Sequence, residues 1–445
     1  MFTKVLVANR GEIALRIVRA LKDMGIQSLV AYSEVDRETL AVQLADESVC
    51  IGPPPAAQSY LSIPALIGAA QSRGAEAVHP GYGFLAENSS FARAVTENGL
   101  AFIGPKPESI DLMGDKNAAR ETMKQIGVPT VPGSDGPLQS AQEALQIAQG
   151  VGYPVLIKAS AGGGGRGMRE VYEPAQMADC LAAAEAEALA GFGNSEVYLE
   201  KLVQRPRHIE IQVLADMHGN AIYLGERDCS LQRRHQKLLE ESPSPAVSPE
   251  LRARMGEAAL MAVRRADYLG AGTVEFLLDL NGSFYFMEMN TRIQVEHPIT
   301  EIVTSTDLIK EQVLVAAGQP ISFLERGQIV PSGHAIEFRI NAEDSQNGFL
   351  PSPGKITGLR LPGGPGVRLD THIYAGYTVP PTYDSLIAKL IVWGNTRAEA
   401  VARGRRALDE FQIEGIKTTI PFHRWVLDQP DFQAGEVHTD FIETH

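Results

Sequence analysis

The chain has 445 residues, enough for about three domains, and its 44% hydrophobic and 21% charged residues are typical of a globular protein rather than a disordered one. Forty lysines and arginines against 54 acidic residues leave a net charge of −14, which disfavours nucleic acid and anionic membranes as partners. The three cysteines, Cys50, Cys180 and Cys229, have no CxxC spacing, so a disulfide framework and a zinc knuckle are excluded and a reducing compartment is expected.

The first third of the chain alternates short apolar runs with helical patterns. The apolar runs predict four strands, at residues 5–8, 28–32, 75–79 and 101–104. Residues 11–18 have the apolar spacing of a helix, and this alternation predicts a parallel sheet of the doubly wound type. In such a sheet ligands bind at the carboxyl ends of the strands, where loops 9–11 and 79–84 follow strands. An ordinary turn explains either loop equally well.

The rest of the chain is expected to contain three further regions. A helical connector at 115–126 precedes a compact unit at about 131–203, which holds a cluster of glycines. Residues 204–330 carry several long strands and most of the unusual polar residues. The Gly/Pro-rich stretch 351–381 predicts a β-rich final region, closed by a helix at 396–410.

The glycine cluster at 162–167 formally matches GxGxxG, which is a weak signal by itself. A dinucleotide-binding loop would open a helix, but residues 168–172 look extended, and Met168 stands where a Walker A loop has its lysine. The remaining pattern is a hairpin whose bare backbone N–H groups could cover a polyphosphate beside Lys158. A flexible surface hairpin is the alternative.

Two strand-like runs, 273–280 and 283–289, are joined by an Asn-Gly dipeptide at 281–282, the strongest short signal for a β-hairpin. A two-residue loop would place residue 279 opposite 284, and Glu275 therefore opposite Glu288. Like charges directly opposite each other destabilise a sheet, and they do so more strongly when buried.

A divalent cation would reverse that repulsion. Glu275 and Glu288 would supply carboxylate oxygens, and Asn290 on the same face would supply a third oxygen ligand. Such an all-oxygen site suits Mg²⁺ or Mn²⁺ carrying nucleotide phosphates. Two alternatives remain open, a pair of solvent-facing acids and a pair in which one carboxyl is protonated.

Polar residues continue at every even position from 288 to 296, separated by Met289, Thr291, Ile293 and Val295. Fully extended, this segment spans about 26 Å, which is longer than one ligand. It therefore either bends around a site or lines two adjoining sites, unless it is simply a solvated edge.

A basic run at 232–237 interrupts the acidic background. Such a run is usually a solvated face, but here an anion site is at least as well supported, since the glycine loop and the carboxylate pair both imply phosphate. His208 lies on the polar face of an alternating strand and, taken alone, is more typical of a structural histidine.

Taken together, these residues resemble the biotin carboxylases of the ATP-grasp superfamily over essentially the whole chain. The resemblance rests on the glycine loop and on four further motifs: VANRGEIA at 7–14, HPGYGFL at 79–85, MEMNTRIQVEH at 287–297 and RINAED at 339–344. It implies a mixed α/β ATP-grasp fold with an N-terminal doubly wound domain at 1–114, an ATP-grasp domain at 115–330 whose mobile lid is at about 131–203, and a β-rich C-terminal domain at 331–445.

The resemblance also implies site residues. ATP would lie between the glycine-loop lid and the 204–330 sheet, contacting Lys116, Lys158, Gly164, Gly165, Met168, Glu200, Lys201, Leu202, Val203, His208, Gln232, His235 and Leu277. Two Mg²⁺ or Mn²⁺ ions would be held by Glu275, Glu288 and Asn290. Bicarbonate would be bound by Lys237, Arg292, Gln294 and the Val295 backbone, with Glu296 as its general base. Biotin would meet Arg339 at its ureido oxygen, with Tyr82 and Gly83 nearby.

The implied reaction is ATP-dependent carboxylation of biotin through carboxyphosphate. No Met-Lys-Met biotinylation motif occurs, so biotin is expected on a separate carrier protein, and carboxyltransferase subunits and a homodimer are expected as partners. The favoured role is the stand-alone biotin carboxylase subunit of acetyl-CoA carboxylase, in fatty acid synthesis. The alternatives are a pyruvate or other acyl-CoA carboxylase, an ATP-grasp ligase joining a carboxylate to an amine, and an inactive nucleotide-binding regulatory subunit. Neither a signal peptide nor an apolar run of about 18 residues is visible, which predicts a cytoplasmic location, or the plastid stroma after removal of a transit peptide.

Overall fold

The computed structural model of the chain describes residues 1–159, 168–192, 194–327 and 329–445. These residues form two compact units. The larger unit comprises Met1–Val128, Arg207–Phe276 and Met287–His445, and the smaller unit comprises Pro129–Pro206 and Leu277–Phe286. This is a division into two rather than three, and the three domain ranges expected from the sequence stay a prediction.

The larger unit begins with the predicted parallel sheet. Its five strands lie in the order Glu47–Gly52, Gln27–Ser33, Lys4–Val7, Ala77–His79 and Ala101–Phe102. The central strand is apolar throughout its buried part, because helices cover both faces of a doubly wound sheet. The sequence prediction lacks the edge strand Glu47–Gly52, whose residues are mostly half-exposed and show no buried-exposed alternation.

Helices alternate along the chain with the strands of this first sheet. They are Gly11–Asp23, Leu40–Leu44, Ile63–Ser72, Ser89–Glu97, Pro107–Gly114 and Lys116–Gln125, with short 3₁₀ helices at Glu34–Asp36 and Ala56–Gln58. Helix Gly11–Asp23 buries its apolar stripe, including Ile13, Ile17 and Leu21, in the core beneath the sheet. It begins directly after the first strand, so residues 9–11 lie at that strand's carboxyl end.

The second sheet has eight strands. Their order is Phe284–Asn290, Gly270–Leu278, Arg207–Ala215, Ala221–Arg233, Gln236–Ser242, His334–Asn341, Leu386–Gly394 and Val367–Thr371. The pairs from Arg207–Ala215 to Val367–Thr371 are antiparallel. Many charged side chains on these strands are buried, among them Glu210, Arg227 and Glu240 at 0% exposure. Buried charges require partners, and these partners form the candidate site.

The larger unit contains further helices and short strands. The helices are Pro249–Arg265, His297–Thr304, Leu308–Ala316, Arg397–Glu410, Ile420–Asp428, Pro430–Ala434 and Phe441–Thr444, with a 3₁₀ helix at Leu324–Arg326. Three two-stranded sheets pair Glu343–Asp344 with Leu350–Pro351, Gly354–Lys355 with Thr378–Val379, and Gly358–Arg360 with Gln412–Glu414. Among the helices that the described residues form, none is long and apolar enough to cross a membrane.

The C-terminal region is β-rich, as predicted, and the helix predicted at 396–410 is found at Arg397–Glu410. The Thr396 hydroxyl caps it by accepting a hydrogen bond from the Glu399 backbone N–H. Further elements follow this helix, so it does not close the region as the sequence pattern predicted.

The smaller unit contains a three-stranded antiparallel sheet in the order Met168–Val171, Val155–Ala159 and Val197–Lys201. Helices Ala141–Val151 and Met177–Phe192 and the 3₁₀ helix Pro174–Gln176 belong to it. The first two strands flank the glycine cluster, which agrees with the predicted strand–loop–strand pattern. The cluster itself, with Gly164 and Gly165, lies outside the described residues.

The Asn-Gly hairpin exists, but its loop is longer than predicted. The Asp279 N–H donates to the Ser283 carbonyl at 2.8 Å, and the Gly282 N–H donates to the Asp279 carbonyl at 3.0 Å. Gly282 has φ +80°, so the connection is a three-residue loop with a left-handed glycine. The predicted two-residue loop is therefore wrong, because a glycine after asparagine serves both turns. Direct opposition of Glu275 and Glu288 does not follow from the observed loop.

Candidate active site

The candidate active site is a row of buried and partly buried charged side chains on neighbouring strands of the eight-stranded sheet. At its centre is Lys237, on the strand Gln236–Ser242. Its Nζ atom lies 2.6 Å from Glu210 Oε2, 3.0 Å from Glu275 Oε1 and 2.7 Å from Glu296 Oε1. Burial opposes the charged form of Lys237, but the three carboxylates outweigh it and raise its pKa well above its ordinary value. Lys237 is therefore a permanent cation in this environment.

Glu296 is the residue at which two cations meet. Its Oε1 accepts from Lys237, and its Oε2 lies 2.9 Å from Nη2 of Arg339. The carboxyl group is 2% exposed. Burial alone would raise its pKa, but Lys237, Arg339 and Arg227 hold the pKa of Glu296 well below its usual range. The side chain is thus an ionised carboxylate. Its pKa would rise if those cations were shared with another anion.

Arg227 and Glu210 support this centre, and the sequence did not single them out. They are opposite each other on adjacent antiparallel strands and form a fully buried ion pair. Arg227 also donates from Nη1 to Gln212 Oε1 at 2.7 Å and from Nη2 to Gln294 Oε1 at 2.7 Å. The alternation His208, Glu210, Gln212 is visible in the sequence and could have pointed to Glu210, but nothing local pointed to Arg227.

Glu275 lies beside the Lys237 centre, as one of the predicted metal ligands. Its Oε1 accepts from Asn290 Nδ2 at 2.8 Å and from Gln294 Nε2 at 2.7 Å. Its Oε2 lies 2.8 Å from His208 Nε2. Burial opposes ionisation, but Lys237 and His208 hold the pKa of Glu275 well below its usual range. The structure therefore joins predicted ATP, metal and bicarbonate residues through one carboxylate.

Glu288, the other predicted metal ligand, is half-buried and forms an ion pair with a different lysine. Its Oε2 lies 3.0 Å from Nζ of Lys116, a lysine whose side chain is 80% exposed. Asn290 lies two residues further on, and its Oδ1 accepts from Arg292 Nη2 at 2.8 Å. These oxygens are hard ligands of the kind that Mg²⁺ prefers, so the donor set fits such an ion.

The even-numbered residues from 288 to 296 do not form one extended edge. The strand ends at Asn290, and a helix begins at His297, so the segment bends between them. The bend brings Gln294 and Glu296 to the Lys237 centre, while Arg292 donates to Glu87 at 2.7 Å. The segment is therefore bent rather than fully extended, and the burial of Asn290, Gln294 and Glu296 excludes a simple solvated edge.

Tyr82 and Val295 are connected by a buried lysine that the sequence did not single out. Lys389 is 0% exposed, and its Nζ donates to the Val295 carbonyl at 2.9 Å and lies 3.2 Å from Glu12 Oε1. Glu12 in turn accepts the hydroxyl hydrogen bond of Tyr82. Gly83 follows with φ +72°, the left-handed conformation that glycine tolerates best. The N-terminal motif and the bicarbonate segment are thereby tied together.

Gln232 and His235 lie at the end of a hairpin in the basic run. Gln232 pairs with Lys237 across the two strands, and His235 is an exposed residue in the turn with φ +64°. The basic run is therefore exposed at its turn and partly buried at Lys237, so the alternative of a solvated face holds for the turn only.

The other predicted ATP residues belong to the smaller unit. Lys158 Nζ lies 2.6 Å from Glu200 Oε2, and Lys201 Nζ donates to the carbonyls of Gly152 at 2.8 Å and Tyr153 at 3.0 Å. These contacts link the strands Val155–Ala159 and Val197–Lys201 and the segment before them. The remaining members of the predicted set in this unit are Met168, Leu202, Val203 and Leu277.

Comparison with known proteins agrees with this architecture. The family "Biotin carboxylase, N-terminal domain" matches residues 1–110, "Carbamoyl-phosphate synthase L chain, ATP binding domain" matches 115–324, and "Biotin carboxylase C-terminal domain" matches 337–444. A biotin carboxylase from Nostoc sp. is 58% identical over 442 residues, which is 99% of each chain. This chain belongs to the biotin carboxylase family.

Members of the family serve different carboxylases. A pyruvate carboxylase subunit from Methanothermobacter thermautotrophicus is 53% identical, covering 100% of this chain and 90% of that protein. A crystal structure of the biotin carboxylase domain dimer of Hydrogenobacter thermophilus 2-oxoglutarate carboxylase, with MgADP, ADP and bicarbonate, is 49% identical with a TM-score of 0.89 and covers 100% of this chain and 98% of that one. Family membership makes this chain an ATP-dependent ligase with the ATP-grasp fold, and the acyl acceptor that it serves is a separate question.

Proposed function

We propose that this chain is the biotin carboxylase subunit of a multisubunit acetyl-CoA carboxylase, acting on biotin carried by a separate biotin carboxyl carrier protein. The observation that carries the active-site assignment is the buried Glu296 carboxylate between Lys237 and Arg339. One feature supports the acceptor assignment. The identity to the Nostoc protein named biotin carboxylase, 58%, exceeds the 53% to the pyruvate carboxylase subunit.

Bicarbonate binding at Lys237 would change the environment of Glu296. The anion, held also by Arg292, Gln294 and the Val295 backbone, would share the positive charge that now keeps the pKa of Glu296 low. The carboxylate would then be a stronger base and take the bicarbonate proton. The deprotonated oxygen would attack the γ-phosphate of ATP to give carboxyphosphate and ADP, a transfer that depends on positioning and charge neutralisation.

The residues proposed for ATP are already engaged by charge partners that phosphates could replace. The carboxylate partner of Lys158 is Glu200, and that of Lys116 is Glu288. Glu275, Glu288 and Asn290 are proposed to hold Mg²⁺ or Mn²⁺, two ions in all. When bound, such ions would offset the negative charge of the phosphate oxygens.

Biotin is proposed to approach Arg339, beside Tyr82 and Gly83. Carboxyphosphate would release CO₂ and phosphate, and the phosphate would take the N–H proton of biotin. The Arg339 guanidinium would stabilise the resulting enolate-like ureido oxygen while the ring nitrogen attacks CO₂. Because Arg339 contacts Glu296 directly, the two half-steps would share one set of side chains.

The carrier protein and the carboxyltransferase subunits are the proposed partners, and a homodimer is the proposed assembly. The Hydrogenobacter structure is described as a dimer, which supports that assembly. We also propose a cytoplasmic location, or the plastid stroma for a plant chain.

Bicarbonate-dependent ATP hydrolysis tests the reaction. We expect free biotin to stimulate it, and E296Q to lower the stimulated rate by at least about 100-fold. The matched control is E436Q, at an exposed glutamate of the C-terminal region. Failure of biotin to stimulate the wild-type chain would contradict the proposal and favour a carboxylate–amine ligase. ATP binding without turnover would favour a regulatory role.

Reconstitution tests the acceptor. The chain is combined with a biotinylated carrier and either an acetyl-CoA or a pyruvate carboxyltransferase, and the carboxylated product is measured with labelled bicarbonate. We expect carboxylated acetyl-CoA. Turnover with the pyruvate partner alone would replace the acetyl-CoA assignment with that of a pyruvate carboxylase.

A further inference from the structure

Two buried glutamates face each other behind Arg339. Glu240 on the strand Gln236–Ser242 lies directly opposite Glu337 on the strand His334–Asn341, and both are 0% exposed. Glu240 Oε1 accepts from Arg339 Nε at 2.6 Å. The other oxygen of Glu240 and both oxygens of Glu337 have no hydrogen-bond donor among the described residues. Two buried carboxylates this short of donors repel each other strongly when both are ionised.

The ionisable groups around the pair provide too little positive charge for two carboxylates. The cations are Lys237 on the strand of Glu240, Arg339 on the strand of Glu337, and Lys389 on the strand Leu386–Gly394. The other groups are Cys229 on the strand Ala221–Arg233, Glu296 and His297 at the start of the helix His297–Thr304, and Tyr82 from the N-terminal part. Helix Arg397–Glu410 packs on the opposite face of the sheet, with Gly404 against Phe338, and presents no charge to the pair.

Each nearby cation already has other partners. Lys237 is shared by three carboxylates, and Lys389 is held by Glu12 and the Val295 carbonyl. Arg339 bridges Glu240 and Glu296, which leaves Glu337 with no ion pair of its own among the described residues. The neighbouring His297 is neutral, since burial and nearby cations hold its pKa well below its usual value.

We propose that Glu240 and Glu337 share a single proton, carried by Glu337, and that this makes Glu240 the positioning residue that fixes Arg339 for biotin. The role of Arg339 in this statement rests on the proposed function, whereas the shared proton does not. A neutral Glu337 leaves Glu240 as the one negative charge behind the guanidinium. Arg339 is then held between Glu240 and Glu296, with its orientation set from both sides.

The direction of the pKa shifts agrees with this arrangement. Burial raises the pKa of Glu337 well above its usual value, and the ionised neighbour Glu240 adds to that shift. Burial also raises the pKa of Glu240, to about 7, although the charge of Arg339 opposes this shift. The proton therefore belongs on Glu337, and the two groups titrate as a pair.

Raising the pH has a definite consequence for stability. The folded chain keeps a proton on Glu337 at pH values where the unfolded chain has lost it, so folding stability falls as pH rises above about 4.5 toward the pKa in the folded state. E337Q imitates the protonated carboxyl and removes the part of this dependence that belongs to Glu337. We therefore expect the melting temperature of E337Q, relative to the wild type, to increase between pH 5 and pH 8.

Infrared spectroscopy of the full chain tests the proton directly. At pH 7 the wild type should show the carbonyl stretch of a protonated carboxylic acid, and this band should be clearly weaker in E337Q. In E240Q the band should disappear at a lower pH than in the wild type, because Glu337 has lost its like-charged neighbour. E240Q keeps the test valid even if E337Q does not fold. A wild-type spectrum without the band at pH 7, or one that E337Q leaves intact, would overturn the shared proton.

Kinetics test the positioning role separately. E240Q should raise the KM for free biotin by about tenfold and the KM for ATP by much less, because the freed guanidinium loses its charged partner. E240D, which keeps the charge, should recover part of the loss. Equal changes in both KM values would contradict the positioning role. The absence of biotin-dependent turnover in the wild type would instead contradict the proposed function and leave the infrared result standing.

Discussion

Arg339 places its Nη2 atom 2.9 Å from the Oε2 atom of Glu296, so the residue proposed to meet biotin is in contact with the base proposed for bicarbonate. Lys237 holds the other oxygen of the same carboxylate at 2.7 Å. A change in the charge of any one of these three groups therefore alters the electrostatic environment of the other two.

Replacing Arg339 by serine should separate the two parts of the reaction. We expect R339S to lower biotin-dependent turnover by about 100-fold, because the developing ureido oxygen loses its cation. Bicarbonate-dependent ATP cleavage without biotin should fall by less than about tenfold, since Lys237 still balances Glu296. Both rates are measured by release of phosphate.

The matched control for R339S is R264S, at an exposed arginine on the helix Pro249–Arg265. It should leave both rates close to those of the wild type. Equal losses of the two rates in R339S would show that Arg339 acts in the bicarbonate step instead.

Glu288 is expected to respond to magnesium. E288Q keeps the size of the side chain but removes a charged oxygen ligand, so we expect the concentration of Mg²⁺ at half-maximal activity to rise by more than about tenfold and turnover to fall by orders of magnitude. E257Q, at an exposed position, is the control. Unchanged dependence on Mg²⁺ would refute the placement of the metal, and circular dichroism would show whether the fold is intact.

Lys389 should be important for stability because it is fully buried between two partners. K389M leaves Glu12 and the Val295 carbonyl without their cation, and breaking one side of a buried pair destabilises a protein by about 3–5 kcal/mol. We expect a clear fall in the melting temperature. The double variant K389M/E12Q should recover part of it, since the second change removes the unpaired charge. If it does not, the loss comes from packing rather than from the ion pair.

Acid should weaken the chain through Glu241. Burial opposes its ionisation, but hydrogen bonds and charge from His334 and Arg397 lower the pKa of Glu241 to about 2, against 4.5 for the isolated group. A carboxyl whose folded pKa is depressed contributes stability above the unfolded pKa and loses it as pH falls toward the folded one. The contribution above pH 4.5 is about 3 kcal/mol.

We therefore expect E241Q to melt well below the wild type at pH 7, and the difference to shrink as the pH falls from 4.5 toward 3. E436Q, at an exposed position, should show no such trend. A gap that stays constant with pH would mean that the charge of Glu241 is not the stabilising feature.

Several elements could be predicted from the sequence because their signals are local. The parallel strands of the first sheet show as short apolar runs, and the helix Arg397–Glu410 shows as an apolar period with a Thr-x-x-Glu cap. The edge strand Glu47–Gly52 was not predicted, because its burial pattern is irregular. The hairpin loop after Asp279 was assigned one residue too short, because the same Asn-Gly pair fits two turn types.

The candidate site shows the same division. Period-two alternation tells which residues share a face, and it identified Asn290, Gln294 and Glu296 as polar residues of one region, whereas Glu275 came from the predicted hairpin. It does not tell which strands are neighbours, so the contacts of Lys237 with Glu210 and of Arg339 with Glu240 were not foreseen. Those pairs join residues 27 and 99 positions apart.

The sequence by itself determined the fold class, the family and the kinds of side chain at the site, because motifs and periodicities are properties of short stretches. Only the tertiary structure decided which charges are paired. The order of the eight strands brings the buried Glu210 and Glu240 together with the partly buried Lys237 and Arg339. Burial there removes the screening by water, and the protonation states of these residues are consequently set by neighbours that are distant in the chain.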